Sequence, residues 1–369
     1  MLKSVRTLFL LLAVALLLAG LAACGGNNVE NGLDYVPEIF EAYEPEESPE
    51  YAEAPDEVEC DEEPEVIFET VLTGSDITGA IHRVEYGNNV AYLFGTIHLS
   101  MEHWFPLADV VEDALRRADV LLVEVDEVAL DPMYMVEVMM DNIFLYDGQT
   151  WAEFLPEDAY EHLVALLPDW GMEYSAVNTF NPSFLLQTWS LGLMMEMAET
   201  AIDFGFTVDN YVADVALSLG MPVIGLESIR QQMEIVFNPP MEVLHAMIMD
   251  FASPEVLVEY LMESGELLFD DLALLYENND FQAINDAFTR TIGPQFDCPY
   301  LTYMREVTMN WRSTYYANVI ASLLRETGEP TTFFVAVGLS HINRSGAGEG
   351  FTDIVQQLGI EGFTVVPLW

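Results

Sequence analysis

Two short apolar runs, far apart in the chain, end in the same step from glycine to histidine. In "NVAYLFGTIHLS" the run Val90–Phe94 is followed by Gly95 and then His98. In "TTFFVAVGLSHIN" the run Phe333–Val337 is followed by Gly338 and then His341. Apolar runs of this length, bounded by a glycine, read as buried strands. In sheets flanked by helices, ligands gather beyond the carboxyl ends of the strands. A glycine near such an end lets the chain turn with little bulk, so that the imidazole three residues later can point back into the crevice. If the two strands are neighbours, two of the chain's six histidines meet at one spot.

The segments around these runs specify the rest of the fold class. "AIHRVEYGNNVAYLFG" is a hairpin pattern, "PLADVVEDALRRA" has helical apolar spacing, and "DVLLVEVD" is a short strand. Strand, helix, strand implies a βαβ unit. From Pro132 to about Phe204, and from Met241 to Ile292, helical patterns dominate. Between them "TVDNYVADVALSLGMPVIGLESIRQQ" reads as helix, strand and helix. The end returns to strands at Thr332–Val337 and Phe363–Leu368, separated by a helix near Phe351–Leu358. The expected architecture is α/β (α+β), a central mixed β-sheet flanked by helices, with a large helical insertion between the two G-x-x-H halves.

Residues 66–369 are the expected folded body. Residues 1–23 read as a signal peptide, with Lys3 and Arg6 ahead of the apolar stretch Leu8–Leu18. "LAAC" at Leu21–Cys24 resembles a bacterial lipobox, which makes Cys24 a lipidation site and the extracytoplasmic face of the cell membrane the expected location; an uncleaved membrane anchor is the alternative. Residues 24–65 read as a disordered linker, because Glu30 to Glu65 holds 16 carboxylates and no basic residue. Against 62 acidic residues the chain has 11 basic ones, a formal charge of −51 that repels nucleic acid and favours cations. Nucleic acid is therefore excluded as an expected partner. Cys60 and Cys298 are given no role, since two cysteines make no disulfide framework and neither adjoins a second cysteine or a histidine.

The carboxylates that could join the histidines lie at comparable places. Glu124 interrupts the apolar strand, where a charge is costly unless paired or ligating. Asp126 shares its face at the strand end, and Glu227 follows "PVIGL" in the same way. Arg312, on an expected helix, is one of few cations and could neutralise a carboxylate or hold a developing oxyanion. Two histidines and a carboxylate also form a common catalytic metal set. No G-x-S-x-G, H-E-x-x-H, Walker or dinucleotide motif competes with this constellation.

These segments, in this order, resemble the TraB/GumN family and the wider group that includes Tiki proteases, erythromycin esterases and haem-binding ChaN proteins. "YLFGTIHLS" is similar to the family's first motif, with Gly95 and His98. "ADVLLVEVD" matches its strand carboxylate at Glu124, and "GMPVIGLESIRQQ" matches Glu227 and Gln232. "RSTYYANVI" resembles a helix that usually opens Arg-Asn, so Arg312 matches and Ser313 departs. The closing motif carries Gly338 and His341. The resemblance implies a hydrolase of peptides or small esters. In its metal-dependent form His98, His341 and Glu124 hold a divalent ion, manganese or cobalt rather than zinc, with Glu124, Arg312 and Glu227 serving catalysis. A metal-free esterase and a non-catalytic haem-binding lipoprotein are the alternatives it implies.

Overall fold

The computed structural model describes residues 75–125, 132–197, 202–251, 269–292, 299–342 and 350–369. The leader, the acidic linker, Asp126 and all three cysteines lie outside the described residues. No described helix is long and apolar enough to cross a membrane.

Among the described residues six strands form one sheet: β1 (His82–Tyr86), β2 (Asn89–Thr96), β3 (Val120–Val123), β4 (Val223–Gly225), β5 (Thr332–Gly338) and β6 (Thr364–Pro367), in the order β4-β3-β5-β2-β1-β6. β4, β3, β5 and β2 run parallel, while β1 pairs antiparallel with both β2 and β6. The sheet is therefore mixed, as its sequence pattern implies. The hairpin turns through Gly87 and Asn88, with Gly87 at φ 59°, so that Asn89 already pairs with Tyr86. A left-handed backbone of this kind costs glycine little.

Helices cover both faces, which explains the unbroken apolar runs of the inner strands. Successive strand residues point to opposite sides. On one side Phe94, Leu121, Phe334 and Ala336 pack against α1 (Asp109–Arg117), α5 (Val208–Ser218), α8 (Phe269–Glu277) and α9 (Phe281–Ile292). On the other, Leu93, Leu122, Phe333, Val335 and Val337 pack against α10 (Arg312–Glu326) and α11 (Ile354–Ile360). The insertion has its own core. α2 (Pro132–Ile143), α3 (Glu157–Leu166), α4 (Pro182–Met197), α6 (Ile229–Phe237) and α7 (Met241–Asp250) belong to it or border it, and Trp151, Trp170 and Trp189 lie buried within. A large helical layer between β3 and β5 is thus present as expected.

β2 and β5 are direct neighbours. Gly95 lies opposite Val337 and Thr96 opposite Gly338, so both strands end at one level of one sheet edge. Three local expectations shift. Gly95 and Gly338 are the final or penultimate residues of their strands and do not break them, and the strand expected over Asp119–Asp126 spans Val120–Val123 and so ends before Glu124. Glu124 stands just past the pleat, free to turn across the strand ends.

Candidate functional site

The carboxyl ends of the four parallel strands each deliver one polar residue: Glu227 after β4, Glu124 after β3, His341 after β5 and His98 after β2. Arg312, at the first turn of α10, links the first three. Its Nη2 donates to Glu124 Oε2 at 2.7 Å and to Glu227 Oε1 at 2.6 Å, and its Nε donates to Glu227 Oε1 at 3.1 Å. Nη2 also donates to the Tyr316 hydroxyl at 2.7 Å, and that hydroxyl donates to Glu227 Oε1 at 2.7 Å. Tyr316 lies one turn after Arg312, so a single helix presents both. Nη1 lies 3.4 Å from His341 Nε2 and 3.5 Å from the Thr308 carbonyl. Glu227, Arg312, Tyr316 and His341 are all buried, where a lone charge would cost far more than one that is paired and hydrogen-bonded.

Glu124 is held on all sides. Oε1 accepts from the Gly338 backbone N–H at 2.8 Å, and Oε2 accepts from Gln232 Nε2 at 3.0 Å as well as from Arg312. Burial alone pushes its pKa up. The positive fields of His341, Arg312 and His98, with the Gly338 N–H, outweigh burial and hold the carboxyl below its usual range. Glu124 is thus ionised at neutral pH. Gln232, from the first turns of α6, is the contact that joins the insertion to this carboxylate.

His98 differs from its counterpart. His341 is buried, with Nδ1 2.9 Å from the Ser313 hydroxyl. The His98 side chain is 78% exposed, and its Nδ1 lies 3.0 Å from Asp209 Oδ2. Asp209 comes from the first turn of α5, a helix started by Thr207, which accepts from the Asn210 N–H. The Thr96 hydroxyl donates to the other oxygen, Oδ1, at 2.5 Å. Burial raises the Asp209 pKa, but the field and hydrogen bond of His98 and the Thr96 hydroxyl bring it below its usual value. An ionised carboxylate only accepts, so Nδ1 of His98 carries a hydrogen, and in the neutral imidazole the lone pair is then on Nε2. Asp209 and Tyr316 are site residues that no sequence pattern marks, and Ser313, which departs from the usual Arg-Asn opening, is the residue that meets His341.

The resemblance implies a divalent ion on His98, His341 and Glu124. Among the described residues no three His, Cys, Asp or Glu side chains are grouped to hold one. The neighbours of Glu124 give a physical reason. Its oxygens already accept from Gly338, Gln232 and Arg312, and His341 Nε2 lies 3.8 Å from Oε1 with the guanidinium beside both. An ion between them would face a permanent positive charge. As arranged, the described side chains do not fit a divalent ion.

His82, His103, His162 and His245 serve elsewhere. His103 meets Glu277 at 3.1 Å and His245 meets Asp158 at 2.9 Å, both on the surface. His162 contacts the Phe251 carbonyl at 2.9 Å. His82 starts β1, with Nδ1 2.7 Å from the Ala80 carbonyl. No curated protein and no solved structure matches the chain. The model of the TraB/PrgY/gumN family does match, over residues 80–367, a stretch that contains the whole sheet-edge cluster. The chain therefore belongs to the TraB/PrgY/gumN family.

Proposed function

We propose that this protein hydrolyses peptide or ester bonds, with His98 as the general base, on the extracytoplasmic face of the membrane to which Cys24 anchors it. The observation that carries the reading is the exposed His98 with Nδ1 tied to Asp209. In this arrangement His98 Nε2 takes a proton from water as the water oxygen attacks the carbonyl carbon. Asp209 steadies the imidazolium that forms, and Nε2 then returns the proton to the departing amine or alcohol. Glu124, kept ionised beside His98, orients the attacking water and adds to the negative field that favours the imidazolium. Arg312 is committed to Glu124, Glu227, Tyr316 and His341, so its part is to position these groups, and Glu227 locks Arg312 in turn. The leader and lipobox pattern support the location.

The test is turnover of a panel of fluorogenic peptides and nitrophenyl esters by the full-length protein and its His98→Ala and Asp209→Asn variants. General-base catalysis predicts a loss of about 10²–10⁴-fold in His98→Ala, with unchanged melting. Equal rates in parent and His98→Ala, or silence across the panel, would overturn the proposal. The same panel with chelator, and with manganese or cobalt restored, examines the metal-dependent form. Activity abolished by chelator and recovered with metal would transfer the reaction to an ion held by His98, His341 and Glu124.

A further inference from the structure

Next to the buried cluster lies an aromatic surface that the reading above leaves unused. Trp311 immediately precedes Arg312 and is 50% exposed. Its ring is parallel to that of Tyr315, with an interplanar angle of 8° and centroids 5.5 Å apart. The two rings, one helical turn apart, form a shelf. Tyr315 in turn is close to the site: burial raises its pKa, and the charge of Glu227 adds to the rise. Trp311 also closes an eight-residue stretch of π-helix, Met304–Trp311, after which α10 resumes ordinary geometry with Arg312 facing inward. Such stretches are rare and are found disproportionately at functional sites.

The charge around this shelf is one-sided. Glu227 is the carboxylate whose charge reaches Tyr315, and the chain as a whole carries a formal charge of −51. Other arginines, among them Arg116, Arg230 and Arg325, are paired with carboxylates of their own. An aromatic face in a negative field attracts cations, through the ring quadrupole and through the field itself.

We propose that Trp311 and Tyr315 form a specificity subsite that receives a cationic side chain, lysine or arginine, of a peptide substrate. The proposal rests on the hydrolase reading for its substrate class. The subsite selects by charge and flatness together: ammonium or guanidinium groups lie over the Trp311 face, and acidic groups are repelled.

The probe is a fluorescein-labelled alanine heptapeptide whose central residue is lysine, norleucine or glutamate. Binding is followed by fluorescence polarisation to the full-length His98→Ala protein, in which turnover is removed. The expected order is lysine, then norleucine, then glutamate. Adding Trp311→Ala should reduce the lysine-over-norleucine ratio about three- to fivefold, while Trp311→Phe should retain most of it. Neither substitution alters net charge, so long-range attraction is the same in all three proteins. A ratio unchanged by Trp311→Ala, or no binding of any peptide, would overturn the subsite. Incubating the same peptides with the parent protein reports separately on cleavage: selective binding without cleavage would keep the subsite and sink the hydrolase.

Discussion

Gly95 and Gly338 occupy equivalent places in the two motifs but are small for different reasons. A Cβ at Gly95 would lie 2.6 Å from Leu339 Cδ1 and 2.9 Å from the Gly79 carbonyl oxygen, so the restriction is packing between β2 and its neighbours. A Cβ at Gly338 would lie 3.2 Å from Glu124 Oε1, the oxygen that its own N–H holds. The two alanine variants should therefore separate. Gly95→Ala overpacks the core and should cost about 1–3 kcal/mol of stability, measured by urea unfolding. Gly338→Ala should cost less than that but displace the Glu124 carboxylate, lowering turnover at least tenfold. Equal stability losses with equal activity would contradict this assignment.

At the scale of elements, β1 is a strand whose first residue titrates. His82 is buried between β2 and β6, its ring edge-on to Trp369, and burial lowers its pKa despite the Ala80 carbonyl. The unfolded chain, with histidine at its ordinary value of about 6.5, then binds the proton first. Stability is fully present above that value and falls as pH drops through it toward the lower folded value. Thermal melts between pH 7.5 and pH 5.5 should show a decline that is shallower in His82→Gln; identical slopes would exclude His82 as its source.

Elements also show why part of the site was readable in the sequence and part was not. His98, His341, Glu124 and Glu227 each follow an apolar run, so period and position disclose them. Arg312 stands out as a cation in an acidic domain. Asp209 gives no such sign. In "TVDNYVAD" it looks like any acidic residue in the first turn of a capped helix, where the helix dipole already favours it. Only the packing of α5 against the sheet brings it to Thr96 and His98. Tyr316 is hidden in the same way, as one aromatic on an amphipathic helix. The sheet order was likewise not legible, because no residue pattern states that β5 inserts between β2 and β3.

For the whole molecule, charge is the dominant global quantity. A formal charge of −51 makes the compact state repel itself, and added salt screens that repulsion. Raising the ionic strength from about 10 mM to about 150 mM should increase the melting temperature by roughly 2–4 °C, equivalent to about 1 kcal/mol. A melting temperature that is flat or falls with sodium chloride would show that local ion pairs such as Arg312 with Glu227 outweigh the net charge.

The neighbours at the centre of the sheet, β2 and β5, are also among the most distant in order of synthesis. A chain growing from its N-terminus makes the hairpin early, yet the slot beside β2 stays open until Thr332–Gly338 emerges. Long-range pairings of this kind slow folding, since closing the intervening loop comes before any contact rewards it. His98 and Asp209 are both made well before β5, whereas Glu124 lacks its partners until Arg312 and then Gly338, both far beyond Asp209, have been added. The carboxylate at the heart of the site is consequently set in place later than the pair of His98 and Asp209 beside it.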